Sequence, residues 1–227
     1  MRACAVLLLA LPLLAQNKTA LLRLPDGKPD LGGEGVWFPR AMPDMVKGVK
    51  VPFQPQARTK FQENAANRQN DSTTRCLPPG VPRITYTPYP FQIVQMSNRI
   101  VFIYEGGSHV FRNVWMDGRA HPKDPNPNWM GDSIGRWEGD TLVIDSVGFN
   151  DKTWLDDAGH PHTEQLHVIE KYTRANASAM KYEVTIDDPG AYLHPWTSNT
   201  TIPFRPGGQL MEYLCLDGER PPVHAQR

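Results

Sequence analysis

The sequence has no excess of charge of either sign: 24 basic residues face 24 acidic ones, for a formal net charge of zero. With no chain-wide positive field to attract phosphate backbones or anionic lipid, neither nucleic acid nor a membrane surface is expected as a partner. Phosphate-cradling glycine loops are missing, and so is the Gly-x-Ser-x-Gly elbow of many hydrolases. Ser133 in GDSIG is no substitute, because the run after it reads as a strand and not as the helix that would present a nucleophile. Internal repeats and low-complexity stretches are absent. Beyond residue 15 no apolar run is long enough to span a bilayer as a helix. Cysteine is scarce, three in 227 residues, and neither Cys76 nor Cys215 sits in a recognisable nucleophile motif.

What is present begins with a short apolar run. Arg2 precedes ACAVLLLALPLLA, which ends at the small residue Ala15 before polar Gln16 and Asn17. A basic start, an apolar stretch and a small-residue cleavage point make a secretory signal peptide over residues 1–15. The run is about 13 residues long, short of the ~20 that cross a bilayer, and Pro12 interrupts it. Cys4 lies at the start of the run and not after it, the wrong side for a lipoprotein anchor. The chain is therefore expected to be exported, to the periplasm or the extracellular space, without membrane attachment after cleavage. Cys76 and Cys215 are then the only cysteines left, and an oxidising compartment is expected to join them; two free thiols are the alternative.

Residues 16–54 read as an extended arm, crowded with Pro, Gly and charge and without a period of 2 or 3.6, with turns at Asp26-Gly27 and Gly32-Gly33. Residues 55–227 read as one β-rich domain. Pro55 opens a run free of further Pro and Gly in which Ala57, Phe61 and Ala65 fall four apart, predicting one helix near 55–69. RCLPPGVPR cannot continue it, since its prolines lack amide donors. From Pro90 the period becomes that of strands: FQIVQM, IVFIYE, HVFRNVWMD, SIGRWE, DTLVIDSV, TEQLHVIEKYTR, AMKYEVTID, WTSNTTIPF and QLMEYLCLD. Gly139-Asp140 between two such runs is the clearest hairpin, with SNR and GGS as further turns. In AMKYEVTID, Met180, Tyr182, Val184 and Ile186 alternate with polar residues, which predicts one buried face. About nine short strands without intervening helices predict an all-β fold, an antiparallel meander closing into a barrel so that no edge is left open.

The polar and aromatic residues concentrate between Asp117 and Glu170. The strings DGRAHP, WEGDTLVIDSVGFNDKTWLD and GHPHTEQLH, with CLPPGVPR before them, resemble a family of exported bacterial proteins of unknown function, over most of the mature chain. That resemblance implies export but no activity. Gly35-Val36-Trp37 together with the meander resembles lipocalins and other calycins, which implies a ligand-holding barrel, although QLMEYLCLD lacks the arginine that lipocalins carry on their last strand.

Three chemistries suit this stretch. An extended segment from Gly159 to Glu164 would point His160, His162 and Glu164 to one side, where two imidazoles and a carboxylate suit a divalent metal; solvated loop residues are the alternative. Metal-free acid–base work, of lyase or isomerase type and without an organic cofactor, is the second, using Asp151, His162, Glu164 and His167. Asp156 and Asp157 lie in the same stretch; the plainer reading is that Asp151 and Asp156 cap turns and that Glu164 and Glu170 form the wet side of a strand. Ligand walls are the third: Trp129 and Trp154 fall in loops, where an indole plugs the barrel or faces a ligand, and Arg119 and His121 are further candidate contacts. Trp115 and Trp137 fall in strands and read as core. The function expected is thus a small-molecule site at one end of an exported barrel, with a non-catalytic carrier or a cell-envelope interaction module as rivals.

Overall fold

The structure, a computed structural model, describes residues 21–40, 45–46 and 48–215. The segment read as a signal peptide, residues 1–15, lies outside the described residues. Among the described residues nine strands run in chain order: β1 (Gly35–Trp37), β2 (Phe91–Gln95), β3 (Arg99–Tyr104), β4 (Phe111–Trp115), β5 (Asp132–Glu138), β6 (Thr141–Val147), β7 (His167–Asn176), β8 (Ala179–Asp187) and β9 (Trp196–Pro206). Each pairs with the next, and β9 returns to β1, so the sheet closes in a ring. The predicted alternation on β8 is realised: Met180, Tyr182, Val184 and Ile186 are buried and the residues between them are not. β5 and β6 are joined by the two-residue turn Gly139-Asp140, where Gly139 takes a φ of 60° that an L side chain would resist.

Helix is sparse. α1 (Pro55–Ala66) starts with proline in its first turn, as the sequence predicts, and two single-turn helices, α2 (Arg83–Tyr86) and α3 (Gly106–His109), come after it. Among the described residues no helix is long and apolar enough to cross a membrane. Cys76 and Cys215 are joined by a disulfide, which fits an oxidising compartment.

Three expectations about the strands are corrected. The meander is not antiparallel throughout, because β4 and β5 meet in parallel through the single pair Trp115↔Ile134. Two parallel neighbours need a crossover, and the proline-rich loop 116–131 supplies it, starting β5 at the same end of the sheet as β4. QLMEYLCLD is not a strand in its described part, 209–215, where Met211 and Leu214 are exposed. The place beside β9 is already taken by β1, which comes from the segment read as an arm and pairs with β9 from Gly35↔Pro206 to Trp37↔Phe204. Finally, the GGS stretch forms α3 and not a tight hairpin turn.

The inside of the closed sheet is filled, and it is not wholly apolar. Phe91, Phe102, Val168, Met180 and Ile202 are buried beside Tyr104, Tyr172 and Tyr182. Arg112 of β4 and Glu170 of β7, both fully enclosed, form an ion pair at 2.6 Å. Tyr172 and Tyr182 each donate a 2.8 Å hydrogen bond to Glu170 Oε1, while Arg112 Nε and Nη2 donate to Ser133 and Ser146. Burial opposes the charge on Arg112, and the adjacent Glu170 more than restores it. Burial also pushes the Tyr104 hydroxyl up to about 12, against the pull of Arg112. α2 extends this network, with Thr85 Oγ1 3.3 Å from the Tyr172 hydroxyl and the Tyr86 ring edge-on to Tyr182.

Removing one partner of such a pair leaves a charge in an apolar enclosure, so Glu170→Gln should cost about 3–5 kcal/mol in urea unfolding. Arg112→Met combined with Glu170→Leu should recover most of that loss, because neither charge then remains. A single substitution that costs under about 1 kcal/mol, the range of exposed pairs, would contradict the burial described here.

Candidate functional site

The loop from 148 to 166, between β6 and β7, folds back against α1 and is fastened there by several independent contacts. Asp156 is fully buried and accepts hydrogen bonds from the backbone N–H groups of Met45, Gly159 and His160 and from His160 Nδ1 at 2.8 Å. The His160 ring packs against Phe53 and Phe61, its centroid 4.4 Å from that of Phe61. Gly159 sits so close to α1 that a Cβ there would lie 2.9 Å from Asn64 Cβ, and its φ of 102° also requires glycine. Asn64 Nδ2 donates to Gly159 O at 2.9 Å.

A second fastening joins this loop to the chain around the disulfide. Arg83 of α2 is buried and holds Asp71 through two bonds, of 2.8 and 2.6 Å, and Asp157 through two more. Burial pushes the Asp71 carboxyl up, but Arg83 outweighs it and leaves Asp71 below the usual carboxylate range. Asp71 also caps the 3₁₀ turn Ser72–Arg75 by accepting from Thr73 N–H. The next residue, Cys76, takes a left-handed φ of 58° and is covalently tied to Cys215.

These elements enclose a cleft of about 420 Å³. Asp151, Lys152, Thr153, Trp154 and His162 line it from the loop, Lys60 and Asn64 from α1, and Asn70 and Arg75 from the two 3₁₀ turns Arg68–Asn70 and Ser72–Arg75. His162 and Thr153 are almost wholly buried within it. The ring geometry settles the tautomer. His162 Nδ1 lies 3.1 Å from Thr163 O and must donate to that carbonyl, so Nε2, 2.7 Å from Thr153 Oγ1, accepts the threonine's proton. Burial lowers the His162 pKa, against weaker opposing pulls from the Thr163 carbonyl and from the carboxylates of Asp188 and Asp151, so the ring is neutral at pH 7.

Of the residues predicted from sequence, Asp151, Trp154 and His162 therefore meet in one cleft, and Glu164 does not join them. Glu164 is exposed in a turn near the end of the loop, whose backbone is set by Asp188 accepting from Thr163 N–H and Oγ1. The metal set His160, His162 and Glu164 does not converge either. Residues 160–162 are not a strand, His160 is engaged by Asp156, and His162 by Thr153. Among the described residues no group of three or more His, Cys, Asp or Glu side chains is arranged to hold a metal ion.

His167 belongs elsewhere, on the outer face of the sheet, where its Nε2 lies 2.8 Å from Asp145. His121 bridges Asp132 and Asp145 at 2.6 and 3.1 Å and so ties the 116–131 crossover to the strands beneath. Arg119 is salt-bridged to Asp117 and stacks on Trp115 at 3.9 Å. Trp115 and Asp132 line a smaller slot of about 240 Å³ at the β4/β5 seam. Trp129 is half-buried and borders neither cavity; its carbonyl packs near Gly80. Sequence reasoning missed Thr153, Lys60, Arg75 and Lys152, which carry no motif of their own. Comparison with protein-family models, with curated proteins and with solved structures finds no match.

The lowered pKa has a direct thermodynamic consequence. Unfolding releases His162 to its ordinary value near 6.5, so the unfolded chain takes up the proton first as the pH falls. The stability this group contributes is whole above that value and is lost as the pH drops through the folded one. Urea midpoints compared at about pH 7.5 and about pH 5 should fall further for the wild type than for His162→Gln, which cannot titrate. Equal falls in the two proteins would show that His162 is not held neutral by burial.

Proposed function

We propose that the chain is an exported small-molecule-binding protein whose cleft performs acid–base chemistry without an organic cofactor, with His162 as the base. The observation that carries this reading is the Thr153–His162 hydrogen bond inside a ligand-sized cleft, with a neutral imidazole whose Nε2 lone pair faces the threonine hydroxyl. A base must carry its lone pair at working pH and lie within hydrogen-bond reach of the proton it removes. Thr153 holds that lone pair at rest. When a substrate oxygen enters, the hydroxyl turns to donate to it, polarising the substrate and freeing Nε2 to take a proton. Asp151, on the cleft wall, favours the imidazolium that results. Trp154 supplies an aromatic wall.

In this reading the closed sheet is a calycin-like barrel used as a scaffold and not as a container. The filled interior speaks against a lipocalin-like carrier, which needs an apolar lumen. The disulfide and the apolar leader support export.

Proton abstraction can be tested before the substrate is known, by incubating the disulfide-bonded protein with a panel of small carbonyl and hydroxyl compounds in D₂O and following C–H exchange by NMR. Wild type should catalyse exchange for at least one compound class, and His162→Gln should lose it by about 10²–10⁴-fold, the usual contribution of a positioned base. No exchange above buffer, or exchange that survives His162→Gln, would remove the catalytic reading.

A further inference from the structure

The walls of the cleft carry a surplus of basic side chains. Lys60, Arg75 and Lys152 reach it from three separate elements, and the one carboxylate lining it is Asp151. Some exposed arginines elsewhere are matched, Arg23 with Asp140, Arg119 with Asp117 and Arg136 with Glu138, while Arg58, Arg68 and Arg205 are exposed without an ion pair among the described residues; what sets the cleft apart is that its cations converge on one cavity. Arg75 and Lys152 make no ion pair among the described residues, and Lys60 has only Glu63, one helical turn away at 3.5 Å. In a chain of zero net charge such a local surplus is a property of this cleft and not of the composition.

From this pattern we infer that the ligand of the cleft bears a compact oxyanion, a carboxylate or a phosphate, seated between Arg75 and Lys152 and presented to Thr153 and His162. The inference rests on the cleft being a ligand site. A guanidinium offers a planar fork that matches two oxygens of such a group, and a lysine adds a mobile point charge. The backbone under Arg75 is set in place from both sides, by the Asp71 cap on its own turn and by the disulfide at Cys76, so little ordering remains to be done on binding. Lys152 is placed likewise, its backbone N–H bonded to Asn150 Oδ1 at 3.1 Å. Thr153 and the Asn70 amide supply neutral donors beside the charges. An anion there also completes the acid–base site, since negative charge next to His162 favours its protonated form during turnover.

The test uses the full disulfide-bonded protein at constant ionic strength, because exposed charges are screened over about 8 Å at physiological salt. Inorganic phosphate and acetate serve as the anionic probes and glycerol and glucose as neutral ones, with the His162 ring followed by NMR. Phosphate or acetate should shift the ring signal saturably and raise its titration midpoint, and the tighter of the two identifies the group. The double variant Arg75→Gln, Lys152→Gln should weaken that binding by about tenfold or more while leaving the thermal midpoint near the wild-type value, since both side chains are exposed and unpaired. Binding of glycerol or glucose without binding of either anion would overturn the oxyanion inference and leave the cleft reading standing. Anion binding undiminished in the double variant would mark a generic surface effect and overturn it too. If no probe of either kind perturbs His162, both readings fall.

Discussion

A guanidinium and a carboxylate that are both shut away from water must face each other, and in this chain that requirement joins β4 to β7 across the inside of the closed sheet. Arg112 and Glu170 lie on strands that are not neighbours, so their pairing is satisfied only when the strands between them have curved round. The tyrosines on β7 and β8 then donate to Glu170 Oε1, and the serines on β5 and β6 accept from Arg112 Nε and Nη2. Buried polar networks of this kind are costly when incomplete, and that cost disfavours any closure in which the strands slip in register.

With the inside occupied, the proposed site lies outside, where α1, the Ser72–Arg75 turn and the 148–166 loop pack together. Here again buried charge fixes position. Arg83 joins Asp71 to Asp157, and Asp156 gathers three backbone N–H groups and an imidazole around itself. These carboxylates are the reason that a long loop keeps one shape and that Thr153 and His162 meet at hydrogen-bond distance. The two loop aspartates and His160 position the chemistry; Thr153 and His162 would carry it.

The strand pattern is legible in the sequence because period-2 alternation is a local property: β8 falls on the residues predicted for it, and the β5–β6 turn on Gly139-Asp140. The closing strand is not, since Gly35–Trp37 is too short to show a period and its burial comes from partners far along the chain. QLMEYLCLD has the composition of a strand, yet no free sheet edge awaits it. The site is half legible. Polar density marks Asp151, Trp154 and His162, but His160 and His162, two residues apart in sequence, have opposite roles that only the packing of Phe53 and Phe61 and the place of Thr153 decide. Arg75 and Lys60 come from elements distant in sequence from the loop, and that Arg75 lacks an ion-pair partner can be recognised only when its surroundings are known.

The acid–base chemistry proposed for the cleft depends on the state of one imidazole, and ¹⁵N NMR of histidine-labelled protein at neutral pH reads that state directly. The predicted result is a neutral His162 ring with the proton on Nδ1, a bare Nε2 that couples to the Thr153 hydroxyl, and a change in the Nε2 signal in Thr153→Val. A ring protonated on Nε2, or on both nitrogens, would contradict the role given to His162, because neither form leaves a lone pair in the cleft to accept a proton.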